Sequence, residues 1–143
     1  MTVKAILATK GGEVVTIEPT AKLAAAASVL AARKIGALVV TGADRRVVGI
    51  VSERDIVHEL AAHGAASLDL PLTDVMTRDV MTCRISDTVN SVMERMTAGK
   101  FRHLPVVEQG RLAGIVSIGD VVKHRLEDME REQSALRDYI QTA

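Results

Sequence analysis

Residues 49–55 read GIVSERD and residues 114–120 read GIVSIGD, so one short chain writes nearly the same heptad twice. An internal repeat constrains a fold more tightly than local propensity, because each copy must be the same structural unit. Val14-Val15-Thr16 matches Val80-Met81-Thr82, and residues 35–40 (IGALVV) match residues 101–106 (FRHLPV) at the same offset. The second copy is one residue shorter before its heptad. The loss falls between the polar turns TGADRR and EQGR, where length changes are tolerated.

Each copy predicts a β-α-β-β-α unit. First strands are expected at 14–17 and 80–82, with Thr20 and Ser86 as N-caps of the helices that follow. Leu23, Ala26, Ala27 and Leu30 share one helical face, as do Val89, Val92, Met93 and Met96, with Gly36 and Gly99 as the stops. Strand pairs are expected at 37–40 with 47–51 and at 104–107 with 112–116. Helices then run from Ser52 to about His63 and from Ser117 onward. The expected fold class is α+β: repeats at 1–66 and 67–126, packed by pseudo-twofold symmetry around a shared core, and a C-terminal helix extension at 127–143. Neither repeat would bury enough surface alone.

Composition narrows the function. Hydrophobic residues make up 48% and charged residues 25%, which fits a globular chain. Eighteen basic residues balance 18 acidic ones, for a net charge of +0, so no nucleic-acid or membrane-surface partner is expected. The longest apolar run, 23–32, is mostly alanine and too short to span a bilayer. The N-terminus lacks a secretory pattern, and Cys83 is the single cysteine, so a cytoplasmic location, no disulfide and no metal site are expected. Phe101 and Tyr139 are the only aromatic residues, so a planar ligand would lie between aliphatic side chains.

The repeated heptad has two readings. Ser-x-x-Asp at a strand-to-helix junction is a capping box, stabilising the helix by roughly 1 kcal/mol. Alternatively, the helix N-terminus with Ser52 or Ser117 holds a phosphate, while Asp55 or Asp120 accepts from the two hydroxyls of a ribose. Gly119, a poor residue for a first helical turn, suits close approach of something to the backbone.

The duplicated pattern, the two heptads, FRHLPVV and the DVMT at 74–77 together resemble a tandem pair of cystathionine-β-synthase (CBS) domains, a Bateman module, over residues 1–126. The resemblance implies a regulatory module for adenosine compounds: AMP, ADP, ATP, NAD(H) or S-adenosylmethionine. It implies that Asp55 and Asp120 bind ribose hydroxyls and that Ser52 and Ser117 contact phosphate. It places Thr16 and Thr82 beside the adenine or ribose, and Ile50 and Ile115 against the base, although β-branched strand packing explains these residues equally well.

The halves differ. Arg102-His103 before Leu104-Pro105 resembles the family's phosphate-binding strand entry, where the first half has Gly36-Ala37. Arginine offers a fixed fork to phosphate oxygens, and histidine adds a pH-sensitive donor. Lys100 adds charge nearby, and Arg54 supplies a cation inside the first heptad. Arg102 and His103 serve either their own motif or the neighbouring one. The two sites are therefore expected to differ in affinity.

After Asp120, Val122, Leu126, Met129, Gln133, Leu136 and Ile140 alternate at spacings of four and three, a heptad-like stripe. It is either a seam in a homodimer or a helix folded back on its own module. A homodimer is implied by the resemblance in both cases. Cys83 is read as a strand residue, and His58, His63 and His124 as helix-surface residues, with no catalytic set and no catalytic cofactor. The leading expectation is a non-enzymatic adenine-nucleotide sensor acting on an unknown protein target, with AMP or NAD(H) bound. A ligand-free dimerisation module is the alternative. An IMP dehydrogenase-like oxidoreductase ranks last, because 143 residues leave no room for a catalytic barrel.

Overall fold

A computed structural model of the chain describes residues 1–142. In order, the elements are α1 (Val3–Lys10), β1 (Thr16–Ile17), α2 (Leu23–Arg33), β2 (Ala37–Thr41), β3 (Val47–Ser52), α3 (Glu53–His63), α4 (Val89–Gly99), β4 (His103–Glu108), β5 (Arg111–Ser117) and α5 (Ile118–Thr142). This is a mixed α+β fold ending in a long helix.

The chain divides into two compact units whose boundaries are not those of the sequence repeats at 66/67 and 126/127. The first unit comprises Glu13–Met81 and Glu108–Ala113; the second comprises Met1–Gly12, Thr82–Val107 and the residues from Gly114 on. In the first, β1 pairs parallel with β2 and β2 antiparallel with β3. Its core joins Leu23, Ala26 and Leu30 of α2 to Leu38, Val40, Val51 and Ile56, and Leu72 and Met76 close it. In the second, Val3 and Ile6 of α1 are buried, as are Val92 and Met96 of α4, Leu104 and Val106 of β4, Val116 of β5 and Val121 of α5.

Each unit is completed by a segment from just before a first strand, and the same hydrogen bonds seat both. In the first unit, Leu23 N donates to Leu70 O (2.9 Å) and Leu72 N to Ala21 O (2.8 Å). In the second, Val89 N donates to Met1 O (3.0 Å) and Val3 N to Asp87 O (2.9 Å). The glycine of each heptad follows from this crossing. A Cβ on Gly49 would stand 2.5 Å from Met76 Sδ and 3.1 Å from Thr77 O, and one on Gly114 would stand 2.7 Å from Leu7 Cδ2. At Gly49 a Cβ would crowd the crossing backbone as well as the Met76 side chain, whereas at Gly114 it would have to displace only the Leu7 side-chain end.

Several local expectations are corrected. The strand expected at 80–82 is absent, and a single parallel bridge from Cys83 to Val106 replaces it one residue later. Cys83 is buried there, its N–H donating to Pro105 O and its carbonyl accepting from Val107 N. The α4 cap is Thr88, which accepts from Ser91 N at 3.0 Å, and not Ser86. Lys22, with no side-chain cap, begins α2 in place of Thr20, because the crossing segment already satisfies Leu23 N. Lys34 (φ 54°) and Lys100 (φ 58°) take the left-handed stop positions expected for Gly36 and Gly99. The missing residue is explained by the turns. β4 and β5 are joined by Gln109-Gly110, both at positive φ, the two-residue hairpin geometry, whereas β2 and β3 are joined by a longer connection with a bulge at Val40/Thr41. His124 is buried rather than on the surface, with Nδ1 at 3.3 Å from Met1 Sδ.

Candidate functional site

β3 and β5 each end on the serine of the motif, and α3 and α5 begin on the next residue. Both motifs form reciprocal capping boxes. Ser52 N donates to Asp55 Oδ2 (2.9 Å) and Asp55 N to Ser52 Oγ (3.2 Å). Ser117 N donates to Asp120 Oδ2 (2.9 Å) and Asp120 N to Ser117 Oγ (3.1 Å). The first helical N–H is also taken: Glu53 N donates to Gly36 O (3.0 Å) and Ile118 N to Arg102 O (2.8 Å).

The capping role is therefore real, and it narrows what remains for a ligand. Among the described residues, each helix start keeps one N–H, on Arg54 or Gly119. Each serine accepts one bond through Oγ and keeps its hydroxyl proton, and each carboxylate keeps Oδ1, among the described residues. These are two donors for an anion beside at least one carboxylate oxygen for a hydroxyl. A Cβ on Gly119 would meet only Ser117 Oγ, at 3.6 Å, so no protein atom requires glycine there.

The other sequence candidates distribute as follows. Ala37 is buried in β2 and stands opposite Ser52 in the strand register, so it belongs to the first motif. Thr16 pairs with Val39 two residues farther along β2, and Arg54 is exposed at the head of α3. In the second unit, the Arg102 carbonyl is bonded to the start of α5, and half-buried His103 opens β4. The main chain of this Arg-His pair thus lies against its own repeat's motif. Pro105 is core, buried in β4. Thr82 is placed by its carbonyl, which accepts from Arg95 Nη1 at 2.8 Å. Lys100 is an exposed left-handed helix stop.

Sequence reasoning missed Lys10. This residue ends α1, and its Nζ lies 2.6 Å from Asp120 Oδ2 and 2.9 Å from Ile115 O. Burial pushes the Asp120 carboxyl up, but hydrogen bonds from Lys10 and the Ser117 backbone, together with the Lys10 charge, outweigh it and hold the pKa below 3.8. The available signal was a basic residue closing the segment before each first strand, Lys10 in one copy and Arg78 in the other. Arg78 behaves differently: its Nη2 donates to Thr73 O at 2.8 Å.

The family model for the CBS domain matches residues 3–62 and again 72–127. The chain belongs to the CBS-domain family. A solved CBS-domain containing protein from Agrobacterium tumefaciens is 52% identical, with TM-score 0.84 over 87% of this chain and 99% of that one. A CBS domain protein from Pyrobaculum aerophilum, solved in complex with AMP, is 31% identical, with TM-score 0.75 over 84% of this chain and 89% of that one. The mitochondrial CBS domain-containing protein CBSX3 of Arabidopsis thaliana is 34% identical over 75% of this chain, which spans just over half (54%) of the plant protein. The two CBS matches contain one Ser-x-x-Asp motif each. No helix among the described residues is long and apolar enough to cross a membrane, and no cluster there has the donors of a metal site.

Proposed function

We propose that this CBS pair is a regulatory module that binds an adenosine compound, AMP foremost, and carries out no turnover of its own. The reading rests on the donors and acceptors that remain at each motif after capping: a serine hydroxyl proton, one helical N–H and a carboxylate oxygen. That set suits a phosphate and an adjacent ribose hydroxyl on one ligand. The related Pyrobaculum protein in complex with AMP supports the ligand class. The exposed Arg102 guanidinium is the proposed phosphate partner for any ligand that gains access to the second motif. A binding protein acts only through different affinities in different states, so the signal passes to a protein partner.

The proposed assembly is a homodimer joined along α5. Val122, Leu126, Met129, Leu136 and Ile140 are 44%, 55%, 45%, 60% and 64% exposed, so this stripe is not folded back on its own chain.

Calorimetry with AMP, ADP, ATP, NAD, S-adenosylmethionine and 2′-deoxy-AMP tests the function. AMP is expected to bind, and 2′-deoxy-AMP to bind about ten- to a hundredfold more weakly, since a hydrogen bond to a charged group contributes about 1.5–3 kcal/mol. Asp55→Ala is expected to weaken AMP while the protein stays folded. Equal affinity for the deoxy compound removes the diol role, and no binding by any compound leaves the motifs as helix caps alone.

A further inference from the structure

The two carboxylates are not equivalent acceptors, and the difference lies in Lys10. Asp120 Oδ2 accepts from Ser117 N and from Lys10 Nζ, which fills both of its lone pairs. Among the described residues, Asp55 Oδ2 accepts only from Ser52 N. A vicinal diol engages a carboxylate best when each hydroxyl has its own oxygen. Asp55 offers a free position on both oxygens; Asp120 offers them on one.

Lys10 is also well anchored. Its ammonium spends a second hydrogen on Ile115 O in the heptad strand, so it bridges two parts of the same motif. It is carried on α1, whose Val3 and Ile6 are fully buried and whose Leu7 packs at Gly114. Lys10 is itself exposed, and its ammonium is positioned by these two bonds and by the packed helix that carries it. Its side chain and that of Asp120 are 33% and 24% exposed.

We infer that Lys10 is a built-in competitor for ribose hydroxyls at Asp120, which closes the second motif and leaves Asp55 as the working diol site. This deepens the adenosine reading and rests on it. Ligand selectivity between the two repeats is then set by a residue outside both heptads. Displacement of the α1 end would open the second site.

The test is AMP calorimetry on the full chain, with Lys10→Met and Lys10→Arg beside the wild type. Wild type is expected to bind one AMP per chain, lost in Asp55→Ala and kept in Asp120→Ala. Lys10→Met is expected to bind two, the added one lost when Asp120→Ala is combined with it. Lys10→Arg, which keeps a cation for the carboxylate, is expected to stay at one. One AMP per chain in Lys10→Met overturns the inference while the adenosine reading stands. A loss of binding in Lys10→Met also overturns it, making Lys10 a ligand contact instead. No AMP bound by any of these proteins removes both.

Discussion

Asp87 shows how a single carboxylate organises the loop where a strand was expected. Its Oδ2 accepts from Arg84 N (2.9 Å) and from Arg95 Nη2 (2.8 Å), while Arg95 Nη1 holds the Thr82 carbonyl. The backbone bond from Arg84 lowers the Asp87 pKa most, burial opposes it, and the Arg95 bond and charge lower it further, to a net value below 3.8. Asp120 is lowered as well. Carboxyl groups with depressed folded-state pKa values contribute stability that is fully present above the unfolded value and lost as pH falls through the folded one. Stability is therefore expected to drop below a pH of about 3.8 as both carboxylates protonate. Asp87→Asn is expected to cost on the order of 1 kcal/mol near neutral pH, the scale of a part-exposed ion pair, and almost nothing once the native carboxyl is protonated. Urea unfolding of both proteins at the two pH values reads this directly, and a pH-independent difference would assign the effect to loop shape and not to charge. The sequence identified both motif aspartates but not this one. A capping box is a local pattern, whereas Asp87 matters through Arg95, a partner one helix away.

At the scale of elements, the sequence placed the β2–β3 and β4–β5 pairs and the start of α3 within about a residue, because alternation and a capping serine are local signals. It misplaced the starts of α2 and α4. Thr20 and Ser86 are plausible caps by type, but main-chain bonds from a distant segment set where those helices begin. The α5 stripe was legible from spacing alone, and whether it lay inside or outside was not. Its exposure leads to a sharp expectation. Leu136, 60% exposed, sits in the run where nearly all neighbours face solvent. Leu136→Lys removes little intrachain packing, so the monomer's thermal stability is expected to change by less than about 0.5 kcal/mol. If α5 is the seam between copies, the same substitution shifts sedimentation from dimer to monomer, because a lysine would be buried without a partner at a heptad position. A Leu136→Lys protein that sediments as a dimer would place the interface elsewhere.

At the scale of the whole molecule, repeats in the sequence are not the units of the structure. The segments before the two first strands align at a different offset from the rest of the repeat, so the heptad register does not reveal their equivalence. Yet 1–10 and 70–78 do the same work: 70–78 closes the unit whose continuous stretch, Glu13–Met81, already contains it, whereas 1–10 closes a unit whose other residues begin only at Thr82. The consequence is asymmetric dependence on the first twelve residues. Deleting Met1–Gly12 leaves the first unit with all of its own residues. It strips the second unit of Val3 and Ile6, both fully buried, and of the bonds joining Met1 and Val3 to Val89 and Asp87. Burying each such side chain stabilises by about 1.5–3 kcal/mol. A loss of at least about 3 kcal/mol is therefore expected, enough to lower the melting temperature by roughly 10 °C in a chain of this size. Hydrogen exchange locates the damage: amides of α4, β4 and α5 up to His124 are expected to lose protection, and those of α2, β2 and β3 to keep theirs. Uniform loss across both sets would mean that the two units unfold as one, and unchanged protection of α4 would show that α1 is not part of the second unit's core. The same deletion removes Lys10, so any AMP bound at Asp120 in the truncated protein must be judged against the Lys10→Met protein, in which α1 is still present.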